Sequence, residues 1–532
     1  MTVLNMNIKQ PIAAIAFFAF SFQAQAQTVE EGIKMYQYER FESAKKILTP
    51  LAAGSSIANY YLGLAQLSTE NKSEAKSTFE HYPEDNANLS GLARIAYLNN
   101  DITEGNRITT LLASKAGKKA WEPLKLAADA ITYTKGGNVQ QAIDWYKDAI
   151  KRNDNNETRL ALGDAYQQIH GGGGEAMNNY EKVTGRDPKN SLAFSKIGAL
   201  WYAAKNYNLA LENYNKAKEA DPANPLPYQD LANAYFWTGK YEIARQNIEK
   251  YLSLSDKTSE DMTRYANILY LSKDYAGAIK TIQELIAKGV NKPGLYGILG
   301  FSQYEMKDYA NALNNVRIYI TKQEADKITP FDLIEYGKIL AVNNQSDSAD
   351  VYFTKAINKD TSSNKSDVYR QIAEGFKAGK DYAKAAVWYD KMIKNSKDIP
   401  AIDYFWRGAM YYYSKNYQPA AKAFEEMETK FADQPSATYW RGRVAAAMDE
   451  EAKTCEASPF YQKWLEKVGP EYDKKSDLMY AYQYLALCAY NKNDKTTMNT
   501  YLDKIATIDA NNSFLKQLRD AGAKPAPTKG KK

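Results

Sequence analysis

Histidine and cysteine are almost absent from this sequence. Its 532 residues include two histidines, His81 and His170, and two cysteines, Cys455 and Cys488. A zinc cluster needs several such ligands, and a Ser-His-Asp arrangement needs a histidine placed as the base. We therefore predict no catalytic residue, no metal site and no cofactor, so that the protein is not an enzyme. The stretches "HYPED" and "HGGGGEAM" place both histidines in predicted turns between helices.

The run of four glycines after His170 lacks the neighbours that would give it a chemical role. No G-x-S-x-G motif accompanies it, and no G-K-[ST] follows to form a phosphate-binding loop. Glycine adopts backbone conformations that other residues disfavour. We interpret the run as a turn that absorbs one inserted residue between two helices.

Long hydrophobic runs are lacking too, except for "PIAAIAFFAFSF" at 11–22. This run is shorter than the roughly 20 residues that span a bilayer, and Ala24 and Ala26 follow it in an A-x-A cleavage pattern. We predict a signal peptide over 1–26, with a bare N-terminal membrane anchor as the alternative. No cysteine follows the cleavage site for a lipid. The mature chain is expected to have no transmembrane segment and to be exported, periplasmic or envelope-associated.

An excess of positive charge is confined to the ends of the chain. The net charge is +6, but Lys9 and four lysines of the final "KPAPTKGKK" supply five of those charges, so the body carries about +1. Nucleic-acid binding needs a basic stripe for the phosphates, so no nucleic-acid partner is expected. We interpret 520–532 as a disordered basic tail, with docking onto anionic lipid or nucleic acid as the alternative.

What the sequence does have is a 34-residue repeat. Its most regular position is an alanine, at Ala176, Ala210, Ala244, Ala278 and Ala312. Four positions later stand Tyr180, Tyr214, Ile248, Ile282 and Val316. Twelve positions earlier stand Gly198, Ala232, Ala266 and Gly300, with Gly163 one residue early. The spacing predicts a helical hairpin in which a small residue of the first helix (helix A) allows the second (helix B) to cross closely.

These residues resemble the tetratricopeptide repeat (TPR) family, whose signature is W-x2-L-G-x2-Y…A-x3-F…P over 34 residues. The resemblance implies an all-α fold, a right-handed α-solenoid of about 14 helix–turn–helix repeats. We divide the chain into divergent N-terminal repeats (27–155), regular central repeats (156–326), C-terminal repeats (327–519) and the tail. The repeat over 87–118 is degenerate, as is helix B over 450–468. The register stays open over 87–129 and 443–475.

The resemblance also implies that helices A line a concave groove that binds partners. Positions one, four and five after the small residue of helix A are expected to face this groove. The predicted partner-binding residues are Tyr202, Gln229, Asn233, Phe236, Trp237, Arg264, Asn267, Tyr270, Phe301 and Tyr304. Aromatic rings with interspersed amides suit an extended peptide. The alternative is that these rings only fill gaps between adjacent helices A.

The resemblance places Cys455 at the start of helix B of the thirteenth hairpin and Cys488 on helix A of the fourteenth. Such helices pack together, so a disulfide is one interpretation and two buried thiols are the other. The many charged residues are interpreted as solvated outer helix faces.

The function that this resemblance implies is an exported TPR scaffold that binds a protein partner in its groove. The stretch "SPFYQKWLEKVG" resembles periplasmic TPR proteins of Bacteroidota. Some of those accompany the energy-coupling proteins of outer-membrane transport, so envelope transport or energy-coupling components are the expected partners. Carbohydrate binding and a self-assembling structural role remain as alternatives.

Overall fold

The computed structural model describes residues 28–134 and 136–523. Within these residues the chain forms 29 α-helices and no β-strand, which confirms the predicted all-α fold. The predicted signal peptide and residues 524–532 of the predicted tail lie outside the described residues. The chain divides between Ser272 and Lys273 into two compact units, called here the N-terminal and the C-terminal unit.

The N-terminal unit holds the first fifteen helices of the described chain. They are α1 (Val29–Gln37), α2 (Phe41–Ala52), α3 (Ser56–Ser68), α4 (Lys72–Glu80), α5 (Asn86–Leu98), α6 (Ile102–Lys115), α7 (Glu122–Thr132), α8 (Val139–Arg152), α9 (Asn156–Tyr166), α10 (Gly173–Arg186), α11 (Ser191–Ala203), α12 (Tyr207–Ala220), α13 (Leu226–Trp237), α14 (Tyr241–Leu254) and α15 (Ser259–Leu271).

The C-terminal unit holds the other fourteen described helices. They are α16 (Tyr275–Ala287), α17 (Pro293–Glu305), α18 (Tyr309–Lys322), α19 (Pro330–Val342), α20 (Ser346–Lys359), α21 (Ser366–Ala378), α22 (Tyr382–Asn395), α23 (Ala401–Tyr413), α24 (Tyr417–Lys430), α25 (Pro435–Met448), α26 (Ser458–Val468), α27 (Lys475–Asn491), α28 (Lys495–Ile508) and α29 (Ser513–Ala523).

Within each unit, an odd-numbered helix packs against the even-numbered helix that follows it. The predicted small residues make this close crossing possible. A β-carbon added at Gly63 would lie 2.3 Å from the Phe79 ring, and one added at Gly163 would lie 2.3 Å from the Tyr180 ring. Both rings are fully buried. The aromatic side chain of helix B therefore occupies the space that the glycine of helix A leaves open.

The turns within the hairpins have a common backbone feature. One residue takes a left-handed conformation, as at Lys205 (φ 59°), Gly239 (φ 73°) and Lys307 (φ 64°). The four-glycine run is only partly a turn: Gly171 and Gly172 lie in the turn between α9 and α10, whereas Gly173 and Gly174 begin α10. A β-carbon at Gly172 would lie 1.9 Å from the Tyr166 carbonyl oxygen, so no larger residue fits there.

The structure settles the two stretches whose register the sequence left open. Residues 87–118 form an ordinary hairpin, made of α5 and α6. The segment between α25 and α26 is irregular, and within it Ala452 and Cys455 have left-handed backbone conformations. Cys455 therefore precedes helix B, whereas the sequence analysis placed it at the start of that helix.

In the N-terminal unit, the first hairpin contacts segments that lie far along the chain. In the turn between α1 and α2, the Tyr38 hydroxyl donates a hydrogen bond to Asp221, which follows α12 and lies 183 residues further along the chain. Ser43, near the start of α2, donates to Asp256 through its backbone N–H (3.1 Å) and its hydroxyl (2.5 Å). Arg40 lies 3.4 Å from the same carboxylate. The first hairpin thus contacts the segments that precede α13 and α15.

Candidate functional site

A cavity of about 730 Å³ lies in the N-terminal unit, where the first six helices A come together. Its lining residues come mainly from α1, α3, α5, α7, α9 and α11. The rest are Glu39 in the first turn, Phe41 at the start of α2, Trp121 before α7, and Tyr133 and Thr134 after α7. The volume falls in the range of about 300 to 1,000 Å³ that is typical of ligand pockets. In this unit, six of the odd-numbered helices therefore face one cavity.

Tyrosine and leucine side chains supply the apolar part of this cavity. The rings of Tyr36 and Tyr60 each lie 5.4 Å from the ring of Tyr61 in edge-on arrangements. Phe41 packs 5.7 Å from Tyr36. Leu64 and Leu126 are buried beside them in the lining. Edge-on aromatic contacts hold the rings in a fixed arrangement, so this wall offers a preformed apolar surface.

The lining also contains charged side chains, and most of these charges are paired. Lys125 donates a 2.9 Å hydrogen bond to Asp129, which also accepts one of 2.7 Å from the Tyr146 hydroxyl. Lys196 donates to both carboxylate oxygens of Asp164, at 2.7 and 2.9 Å. Burial by itself would lower the pKa of Lys125, but the carboxylates of Asp129 and Glu157 outweigh burial and raise that pKa. Lys125 therefore remains a cation.

Tyr133 connects the Asp164 pair to a further cation, Arg94. The Tyr133 hydroxyl donates a 3.0 Å hydrogen bond to Asp164, and the Arg94 guanidinium lies 5.2 Å from the centre of the Tyr133 ring. Partial removal of the Tyr133 hydroxyl from water and the charge of Asp164 raise the pKa of Tyr133, although 49% of the residue is exposed. The phenol therefore stays protonated and donates to Asp164.

Arg94 differs from Lys125 and Lys196 because no carboxylate within 28–134 and 136–523 lies at ion-pair distance from it, although the charge of Asp129 acts on it from further away. Arg94 is 7% exposed. Its Nε atom is buried and has no hydrogen-bond partner among the described residues. An unpaired charge in a protein interior is costly. Arg94 is thus the least satisfied group in the lining.

These charged residues correct the sequence analysis, which assigned charged side chains to solvated outer faces. Arg94, Asp129, Glu335, Asp403 and Glu428 are all buried. A signal was present in the sequence, because Lys125 and Asp129 interrupt the apolar run "LKLAADAIT" of α7 at a spacing of four. Residues at that spacing share one helix face, so the pair had to lie on an inner face.

The structure places eight of the ten predicted partner-binding residues on α11, α13 and α15 of the N-terminal unit. Trp237 is 70% exposed and makes an edge-on contact with Phe236, at 5.4 Å between ring centres. The eight tryptophans of the sequence all lie in the described part of the chain, and Trp237 alone is classed as exposed. Tyr202 packs 5.5 Å from Tyr207 and is half-buried.

The polar members of the predicted set are half-buried on α13 and α15. Gln229 and Asn233 lie on α13. On α15, Asn267 donates a 3.0 Å hydrogen bond to the carbonyl oxygen of Thr263, and Tyr270 is also half-buried. Arg264 lies 3.7 Å from Glu260, one turn earlier. The structure does not test the role of these groups in binding, which stays a prediction.

The last two predicted residues belong to the C-terminal unit, on α17. Phe301 is 4% exposed and packs 5.8 Å from Phe331 and 6.2 Å from Tyr319. Tyr304 is half-buried and lies 5.8 Å from Tyr309. Phe301 therefore fills space between helices and offers little surface to a partner.

The C-terminal unit contains a smaller cavity and the disulfide. The cavity, of about 270 Å³, is lined by Phe405, Tyr439, Trp440, Trp464 and Tyr472, with Pro435, Ser436, Lys474 and Asp477. Cys455 and Cys488 are joined, with their Cα atoms 5.5 Å apart. The bond ties the irregular segment before α26 to α27. Both cysteines belong to the buried cluster around Trp464 and Tyr484.

No group of three or more His, Cys, Asp or Glu side chains in the described chain is arranged to hold a metal ion. None of the helices in 28–134 and 136–523 combines the length and the apolar character needed to cross a membrane.

Comparison with solved structures finds repeat proteins that resemble parts of this chain. The C-terminal part of a TPR repeat-containing protein from Cytophaga hutchinsonii is 29% identical, over 49% of this chain and 100% of that one, with a TM-score of 0.41. A TPR protein from Parabacteroides merdae is 18% identical, over 49% and 98%, with a TM-score of 0.33. YrrB, a TPR protein with an unusual peptide-binding site, is 17% identical, over 35% and 93%, with a TM-score of 0.29. No family model and no curated protein matches the chain.

Proposed function

We propose that this chain, a protein built of tetratricopeptide-type hairpins, is an exported scaffold that binds a protein partner on the inner helices of its N-terminal unit. The observation that carries the proposal is the exposure of Trp237. An indole is largely apolar, and the other seven tryptophans of the sequence are buried or half-buried. Aromatic side chains of this kind are typical anchors of protein interfaces.

The position of Trp237 within its repeat supports a place for this ring on the inner surface. Phe236 and Trp237 stand four and five residues after Ala232, the small residue of α13. In α1 the equivalent residues, Tyr36 and Gln37 after Gly32, line the cavity. Equivalent positions of stacked repeats face the same side. The proposed interface therefore begins at Tyr202 on α11 and continues over α13 to α15.

Amide groups beside the rings suit an extended segment of a partner. Asn233 and Gln229 share α13 with Trp237, and Asn267 follows on α15. Side-chain amides both donate and accept hydrogen bonds, as a peptide backbone requires. We propose that the partner inserts an apolar side chain against Trp237 while its backbone contacts these amides.

Photocrosslinking tests the interface directly. Trp237 is replaced by p-benzoylphenylalanine in cells that produce the protein, and Ile243, an exposed apolar residue of the outer helix α14, is replaced in the matched control. We expect a cross-linked protein at position 237 that is absent at 243 and is lost when Asn233→Ala is added. Equal cross-linking at both positions, or none at 237, would contradict the proposal.

The same samples separate the alternative functions. Cross-links between copies of this chain would indicate self-assembly, which light scattering then checks. Capture of glycan rather than protein would indicate carbohydrate binding.

Export is a separate part of the proposal and rests on the apolar run at 11–22 and on the Ala24/Ala26 pattern. The expected partners are envelope transport or energy-coupling components. N-terminal sequencing of the protein from the envelope fraction should find Gln27 as its first residue. A chain that retains Met1, or one that is absent from that fraction, would exclude export by cleavage.

A further inference from the structure

Arg94 places an unpaired cation in the wall of the 730 Å³ cavity. The carboxylates around it are engaged elsewhere. Asp129 accepts hydrogen bonds from Lys125 and from the Tyr146 hydroxyl, and Asp164 accepts one from Lys196. A guanidinium has five N–H donors, yet no hydrogen bond from Arg94 to another described side chain is found in this unit. The group is therefore available to an anion that enters the cavity.

The remaining charges limit which anion fits. The lining contains the three cations Arg94, Lys125 and Lys196, and the five carboxylates Glu39, Glu122, Asp129, Glu157 and Asp164. Glu122 is exposed, and the Glu157 side chain is 62% exposed. These two carboxylates thus lie towards solvent, whereas Arg94 is buried. An acidic entrance repels a dianion such as phosphate and attracts a positive group.

We propose that this cavity binds a small zwitterion, an α-amino acid or a short peptide with free ends. Its carboxylate pairs with the Arg94 guanidinium, and its ammonium group faces Glu157 and Glu122. The apolar wall of Tyr36, Tyr60 and Tyr61 receives the side chain. Arginine binds a carboxylate through two parallel hydrogen bonds, which its stacking on Tyr133 leaves possible. The proposal does not depend on the protein partner proposed above, because it concerns different residues and a different ligand.

A thermal-shift screen of the full-length protein tests whether the zwitterion is a free amino acid or a short peptide. The probes are the twenty amino acids, alanyl dipeptides and trialanine. Each probe is compared with two derivatives of the same molecule, its C-terminal amide and its N-acetyl form. We expect at least one unmodified probe to raise the melting temperature, and both derivatives to raise it less. A response to amino acids assigns the free molecule, and a response to peptides alone assigns the peptide. No response to any probe would overturn the proposal.

Calorimetry on the best probe then tests Arg94 itself. In Arg94→Met we expect the dissociation constant to rise about tenfold or more, because a charge-assisted hydrogen bond is lost. The control is Arg107→Met, since Arg107 is exposed on α6 and paired with Glu104 at 2.7 Å. Its binding should match that of the wild type. Unchanged binding in Arg94→Met would overturn the proposal.

The stability of the ligand-free variants distinguishes a binding role from a structural one. Because Arg94 is buried and unpaired, Arg94→Met should melt at or above the temperature of the wild type. If Arg94→Met folds poorly, Arg94→Lys replaces it, since lysine keeps the charge but lacks the planar fork. Arg94→Lys should then fold normally and bind at least severalfold more weakly. Wild-type affinity in Arg94→Lys would overturn the carboxylate assignment.

Discussion

The Ser43 hydroxyl donates a 2.5 Å hydrogen bond to Asp256, although 213 residues separate them in the chain. Together with the bond from Tyr38 to Asp221, this contact brings the first hairpin against the segments before α13 and α15. Apart from α1, the inner helices that line the 730 Å³ cavity lie between these contacts in the chain. The closing contacts therefore decide how firmly the first hairpin is held over the cavity.

Asp256→Ala tests this closure. The substitution removes the acceptor of the Ser43 backbone N–H and hydroxyl and the ionic partner of Arg40. We expect it to lower the free energy of unfolding by about 2 kcal/mol and to speed amide hydrogen exchange at 38–43. Hydrogen-exchange mass spectrometry measures the second effect. Asp148→Ala, which removes an exposed ion pair with Lys151, should leave both quantities nearly unchanged.

The stability of the N-terminal unit should fall as the pH rises towards neutrality. Burial, together with the negative charge of Glu39, raises the pKa of Asp230 from 3.8 to about 7. The folded chain keeps this proton up to about pH 7, whereas the unfolded chain loses it near pH 4. The folded state thus binds more protons within that window, and each increase in pH there favours unfolding.

Asp230→Asn removes the titrating proton and checks the direction of this effect. Urea unfolding at pH 5 and pH 8 should show that the variant gains stability relative to the wild type at the higher pH. A difference between variant and wild type that is the same at both pH values would show that Asp230 does not titrate in this range.

Glu428 should produce the opposite pH dependence in the C-terminal unit. It accepts hydrogen bonds from Thr438 (2.6 Å), Arg441 (2.8 Å) and Lys463 (2.9 Å). Burial would raise the pKa of this carboxyl, but these donors outweigh burial and lower it from 4.5 to about 2. Its stabilising effect is therefore present above pH 4.5 and is lost as the pH falls towards 2.

Glu428→Gln should lower the free energy of unfolding at pH 7 by about 3 kcal/mol, because it leaves the surrounding cations without their buried partner. The loss should shrink at pH 3, and denaturant unfolding at the two pH values measures it. Glu425→Gln is the matched control, since Glu425 is exposed and contacts Arg441 alone among these cations. An equal loss in both variants would assign the effect to Arg441.

The bond between Cys455 and Cys488 should be detectable in the purified protein. Titration under denaturing, non-reducing conditions is expected to find no free thiol, and two free thiols would show that the bridge is absent. The bond closes a loop across 33 positions of sequence separation, so its reduction should cost about 3 kcal/mol of stability. The Cys455→Ser/Cys488→Ser double variant should have this lower stability already and should not respond to a reductant.

The helices and their pairing could be predicted because the forces that set them act over short distances in the chain. Ala176 and Tyr180, or Gly163 and Tyr180, lie within one hairpin, and their contact requires a small residue beside an aromatic one at fixed spacing. Every repeat must meet the same requirement, so the pattern recurs every 34 residues and is visible without coordinates. The exposed position of Trp237, five residues after Ala232, follows the same repeat logic.

The partners of the cavity charges could not be predicted in this way. The pairing of Lys196 with Asp164 depends on how inner helices from different hairpins are brought together. The same packing leaves Arg94 without a carboxylate at ion-pair distance among the described residues. The hydrogen bond from Ser43 to Asp256 depends on the small rotation of each hairpin relative to the one before it, added over seven hairpins. The sequence of a single repeat does not show this total rotation. The amino-acid sequence by itself therefore determined the helices and their pairing into hairpins. The tertiary structure alone decided which distant residues meet, because their contacts arise from stacking and leave no periodic trace in the chain.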